Sequence, residues 1–118
     1  MSVETVARKF VEMCNQGRNF EVMRTMYAPD IVSVEGNGEA TAGQAAVIHK
    51  SEVRQGTNEI NAQKVRGPYF NGNQFAVHFT FEMTRKGTRK RITFEEVALY
   101  TVEGDNITRE QFLYDGEL

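Results

Sequence analysis

The order of patterns along these 118 residues predicts an α+β domain, with helices packed on one face of a mostly antiparallel sheet. Three observations predict it. Apolar residues recur at helical spacing only in short segments of the first half. From Glu59 onward the period changes to two and stays there. Hairpin-type turn signals then punctuate the second half at Asn71-Gly72-Asn73, Lys86-Gly87 and Glu103-Gly104-Asp105-Asn106.

Val3, Val6, Ala7, Phe10, Met13 and Cys14 form the apolar stripe of a first helix, which ends at Asn15-Gln16-Gly17, where glycine takes the left-handed cap conformation. Asn19 is the expected N-cap of a second helix, Phe20 to Tyr27, stopped by Pro29. Ile31-Val32-Ser33-Val34 reads as a strand running into the loop Gly36-Asn37-Gly38-Glu39. A third helix follows from Gly43 to near Gly56, with His49 in step with Ala42, Ala45, Ala46 and Val53 on its apolar side. Ile60 to Val65 reads as a modest strand closed by Gly67-Pro68. Gln74 to Thr84 is the clearest strand: Phe75, Val77, Phe79, Phe81 and Met83 face one way, Ala76, His78, Thr80, Glu82 and Thr84 the other. The final hairpin runs from Ile92 to Tyr114. The predicted order is α-α-β-α-β-β-β-β, one domain over 1–118, without repeat or linker.

Composition narrows the function classes. A domain of this length buries roughly two thirds of its unfolded surface, so a real core is expected. With 14 Lys+Arg against 16 Asp+Glu, a net charge of −2, nothing draws the whole chain towards nucleic acid or anionic membrane. The basic run Arg85, Lys86, Arg89, Lys90 and Arg91 lacks interleaved aromatics and reads as a solvated hairpin tip that blocks edge pairing. One cysteine, Cys14, leaves no intrachain disulfide, and its apolar helix face predicts an inert thiol. No apolar run has the length of a membrane span and no signal peptide is read; the single cysteine points to a reducing cytoplasm, with a disulfide-free secreted protein as the alternative. Two histidines without supporting ligands predict no metal site, and no cofactor is expected.

The informative residues are acids in apolar register. Glu96 shares a strand face with Ile92, Phe94, Ala98, Tyr100 and Val102; Glu110 shares one with Phe112 and Tyr114. A buried carboxylate is costly unless it is paired, hydrogen-bonded or protonated. Two of them on inward faces point to a wet or ligand-filled pocket. The chemical reading takes Glu96, Glu110 and Glu35 as acid and base candidates, with Tyr100, Tyr114 and His49 as hydrogen-bonding partners. The structural reading makes Glu96 and Glu110 acids at a bulge or cavity rim, satisfied by backbone amides, water or Arg109. Glu35, ahead of a glycine loop, is expected to be exposed. His49 reads as a partly buried helix histidine, and His78, beside Thr80 and Glu82, as a surface or dimer contact.

Met26-Tyr27-Ala28-Pro29-Asp30-Ile31-Val32, Gly43-Gln44-Ala45-Ala46, Phe75-Ala76-Val77, Glu96-Val97-Ala98-Leu99-Tyr100-Thr101-Val102 and Asp105-Asn106-Ile107-Thr108-Arg109-Glu110-Gln111-Phe112 together resemble the SnoaL-like domains of the nuclear-transport-factor-2-like superfamily. The resemblance implies a cystatin-like, cone-shaped curved sheet wrapped around three N-terminal helices, with a pocket at one end and a homodimer through the outer sheet face. Against the ketosteroid isomerases of that superfamily, Glu35 falls where the proton-abstracting aspartate stands. Phe10 stands in place of the oxyanion-hole tyrosine and Ala98 in place of the oxyanion-hole acid, which argues against steroid isomerisation. The expected function is a pocket for a small hydrophobic, oxygenated molecule. Phe10, Phe112, Tyr100, Tyr114 and His49 would bind it, and the chemistry would be that of a cofactor-independent isomerase, cyclase or dehydratase. The alternative is a non-catalytic ligand-binding or dimerisation module.

Overall fold

The computed structural model describes residues 2–115. Helix α1, Val3–Asn15, starts at Ser2, whose Oγ accepts from the Thr5 amide at 3.2 Å, and ends before Gly17 at φ 76°. Helix α2, Asn19–Met26, gives way directly to β1, Tyr27–Val34. A three-residue strand β2, Ala40–Ala42, precedes helix α3, Gln44–Thr57. Strands β3 (Asn58–Asn71), β4 (Gln74–Arg85), β5 (Arg91–Glu103) and β6 (Asn106–Leu113) follow. They form one curved six-stranded sheet in the order β2-β1-β6-β5-β4-β3. All neighbours are antiparallel except β1 and β6, which run parallel and tie the start of the sheet to its last strand. The α+β architecture is the one expected.

Four local expectations change. Strand β2 was not foreseen, because three residues are too few for alternation to register. Asn19 is the first helical residue and not the cap; its amide exchanges hydrogen bonds with Gln63 on β3. Tyr27 and Pro29 belong to β1, not to the end of a helix. Strand β3 continues through Gly67-Pro68, with its register shifting between Arg66 and Tyr69. β3 is an edge strand, where a proline without an N–H interrupts no outer ladder. Asn15 of α1 covers this edge, donating to the Val65 carbonyl at 3.0 Å and accepting from its amide at 2.9 Å.

The core lies between the helices and the inner sheet face. Val6, Ala7, Phe10 and Met13 of α1 meet Phe75, Val77 and Phe79 of β4 and Ala98, Tyr100 and Val102 of β5. Phe10 sits at its centre, with ring centroids 4.5 Å from Tyr100 and 5.5 Å from Phe75. Among the described residues no helix is long and apolar enough to cross a membrane. The basic turn between β4 and β5 is exposed, as expected, with Arg89 reaching Glu59 at 3.5 Å.

Candidate functional site

The aromatic cluster fills one end of the space between helices and sheet; the other end holds a cavity of about 380 Å³. Its volume falls at the lower end of the range for small-molecule sites. Phe20 and Met23 of α2, Phe79, Phe81 and Met83 of β4, Phe94 of β5 and Phe112 of β6 provide apolar walls. Its polar groups include Tyr27, Lys50, Ser51, Arg54, Glu96, Tyr100 and Glu110, with the amides of Asn19, Gln55, Asn61 and Gln63 also on the lining. Strand alternation brings the two acids in: Glu96 is 6% exposed and Glu110 3%.

Register explains the surroundings of Glu110. Its direct partner across β5 is Tyr100, and across the parallel β1 it is Ser33, so three inward positions converge. The Tyr27 hydroxyl donates to Glu110 Oε1, and Ser33 bonds the same carboxyl. Lys50 Nζ donates to Ser33 Oγ at 2.7 Å and pairs with Glu35 Oε1 at 2.8 Å. Arg54 Nη2 reaches that same Glu35 oxygen at 3.0 Å, and the Tyr114 hydroxyl donates to Glu35 Oε2 at 3.1 Å. A continuous polar chain thus runs from Tyr114 through Glu35, Lys50 and Ser33 to Glu110 and Tyr27. Burial pushes the Glu110 carboxyl up, against the pull of Tyr27, Ser33 and Lys50. Burial acts the same way on Glu35, but there Lys50 and Arg54 win and hold the carboxyl below its ordinary value. Tyr27 and Tyr100 are raised well above theirs by burial and by Glu110.

Glu96 is the exception. It lies opposite Phe79 in the β4–β5 register, and its Oε2 is buried with no hydrogen-bond partner among the described residues. Burial raises its carboxyl to about 8, outweighing the attraction of Arg54 and Lys50. Glu35 and Glu110 push in the same direction as burial. At neutral pH Glu96 is therefore a protonated, unpartnered acid on the wall of an apolar cavity, able to donate a proton or a hydrogen bond to whatever enters.

Of the residues expected at the site, Glu96, Glu110, Tyr100, Phe112 and Phe10 line the cavity. Three are corrected. Glu35 is buried, 8% exposed, not solvated: Lys50 and Arg54 fold over it from α3, and it stands behind them rather than on the cavity wall. Tyr114 likewise lies outside the lining and bonds Glu35. His49 is exposed, as are Ala45, Ala46 and Val53, because α3 turns Val47, Lys50, Ser51 and Arg54 inward. Sequence reasoning missed Tyr27, Ser33, Lys50 and Arg54. The stripe 47, 50, 51, 54 has helical spacing and was legible, but two of its members are cations, which the rule of apolar faces inward sets aside. Cys14 is buried, its thiol pushed up to about 12 by burial and by Glu110, as an inert thiol should be. Among the described residues no group of three or more His, Cys, Asp or Glu is placed to hold a metal ion.

Comparison with known proteins gives this arrangement a family. The sequence profile of the SnoaL-like domain matches residues 1–114. No curated protein matches the chain. Among solved structures, a Mesorhizobium loti protein provisionally named a SnoaL-like polyketide cyclase, with carbohydrate phosphatase as a second label, is 38% identical. It superposes with a TM-score of 0.92 over 97% of this chain and 100% of its own. A Catenulispora acidiphila protein with a ketosteroid isomerase-like fold is 17% identical, with a TM-score of 0.76 over 93% of this chain and 85% of its own. A Xanthomonas campestris protein with a cystatin-like fold is 18% identical, with a TM-score of 0.76 over 98% and 92%. At those lower identities the likeness is one of fold. The chain belongs to the SnoaL-like domain family.

Proposed function

We propose that the cavity binds a small hydrophobic, oxygenated molecule and acts on it by cofactor-independent acid/base chemistry of the isomerase, cyclase or dehydratase type. One observation carries the reading: a protonated carboxyl, Glu96, has a free buried oxygen on the wall of an apolar cavity. Such a group costs stability unless a ligand completes its hydrogen bonding. In this reading Glu96 donates the proton and Glu110 is the second carboxyl, held in place by Tyr27 and Ser33. Lys50 and Arg54 stabilise negative charge developing on a substrate oxygen, as preorganised cations do in a site that excludes water. The cyclase name of the Mesorhizobium loti relative supports the reaction type.

The hydrogen bonds that close Glu110 in favour a second reading, in which the polar chain is structural and the domain binds without turning over. A thermal-shift screen of small oxygenated apolar compounds, run on wild type, Glu96→Gln and Glu110→Gln, separates the two. Catalysis requires that wild type convert at least one hit and that Glu96→Gln lose about 100-fold or more in rate. Hits that bind all three proteins and that wild type leaves unchanged establish the binding module instead.

A further inference from the structure

Building on that ligand-binding reading, we propose that the molecule the cavity takes carries a single carboxylate, seated between Arg54 and the carboxyl of Glu96, with its apolar body along Phe79, Phe81 and Phe94. Two observations on different elements carry it. On β5, Glu96 presents a buried oxygen without a partner. On α3, Lys50 and Arg54 both line the cavity, yet both are bound to one and the same oxygen of Glu35. Two cations share a single acceptor atom. Among the described residues, the only hydrogen bond from the Arg54 guanidinium is the one Nη2 makes to that oxygen, and a guanidinium has five N–H donors. A carboxylic acid and a guanidinium opening on one apolar space are both donors. A carboxylate offers two acceptor oxygens and the charge that strengthens both bonds. A neutral carbonyl offers one oxygen and draws far less from the cations.

The site couples binding to a proton. Glu96 is faced by Arg54 and Lys50 from α3, by Glu35 beyond the end of β1, by Glu110 from β6, and by Tyr100 on its own strand. Burial sets its carboxyl at about 8. Below that pH it donates to the ligand; above it, two carboxylates face each other and repel. Affinity for an acid should therefore be level between about pH 6, where the ligand is fully ionised, and about pH 8, and fall about tenfold for each unit above, while a neutral amide shows no such fall.

Calorimetric titration of the full chain with naphthoate and decanoate, each against its primary amide, tests this at about pH 7 and about pH 9. The acids should bind at least about tenfold tighter than the amides at the lower pH and lose about tenfold at the higher. Arg54→Gln should remove the preference for acids. Glu96→Gln, whose amide remains a donor, should keep acid binding and lose its pH dependence. Amides binding as tightly as acids would overturn the carboxylate while leaving the apolar ligand cavity intact, and so would acid binding by wild type that stays level across the two pH values. Failure of acids and amides alike overturns both this inference and the ligand-binding reading. If Arg54→Gln does not fold, the acid-to-amide ratio of wild type and the pH profile of Glu96→Gln decide the matter.

Discussion

Glu96 and Glu110 stand on neighbouring strands, both buried, both facing the helices, and their surroundings are opposite. Glu110 lies where β1 meets β6, and Tyr27, Ser33 and Lys50 close around it. Glu96 lies one strand further along, where the direct neighbour is Phe79 and the helices stand off to leave the cavity. The same residue type in the same alternation becomes a structural anchor in one place and an unsatisfied group in the other. Alternation puts a side chain inside, but elements distant in sequence decide whether it finds a partner.

The largest test of this contrast is Glu110→Ala. It leaves the Tyr27 hydroxyl without its acceptor and removes the carboxyl that Ser33 joins to Lys50. With two buried hydroxyls left short of an acceptor, we expect a loss of about 3–5 kcal/mol in urea unfolding. A loss under about 1 kcal/mol would mean that the chain of hydrogen bonds does not hold β1 to β6.

Glu96→Gln should do the reverse in a pH-dependent way. The folded carboxyl titrates near 8, above the ordinary 4.5, so the folded state keeps a proton that the unfolded chain releases between those values. Wild-type stability attributable to Glu96 is thus highest below about pH 4.5 and falls as the pH rises towards 8. Glutamine does not titrate. The stability of Glu96→Gln relative to wild type should rise by about 2–4 kcal/mol across that window and level off above it. Denaturant midpoints at several pH values check this; a difference that stays constant would mean that Glu96 is solvated in the folded protein.

The smallest expected effect belongs to His49→Ala. An exposed helix position should change stability by no more than about 0.5 kcal/mol and leave ligand affinity unaltered. A several-fold loss of affinity would return His49 to the site.

How much of this was legible follows the same division. The long strands β4 and β5 announce themselves, since alternation over a dozen residues fixes both type and inward face, Glu96 included. Glu110 followed from the short run that ends in Phe112 and Tyr114. The burial of Glu35 and the roles of Lys50 and Arg54 did not follow. They arise from α3 laying a polar stripe over the end of β1, and a helix that faces a cavity has no need of an apolar inner side. Strand β2 was beyond reach at three residues, and the continuation of β3 through Pro68 depended on its lying at the sheet edge, which no local pattern states.

The parallel pairing of β1 with β6 also governs when the site can exist. Tyr27 and Glu110 are separated by 83 residues, so a chain emerging from the ribosome N-terminus first exposes Tyr27 and Ser33 long before their acceptor has been synthesised. Hairpins β3–β4 and β4–β5 can form as they emerge, from contacts near in sequence; the anchor around Glu110 waits for the last strand. The polar end of the cavity is therefore assembled only once β6 has been made, and a nascent chain stalled ahead of β6 carries β1 without the partner that closes this end of the sheet.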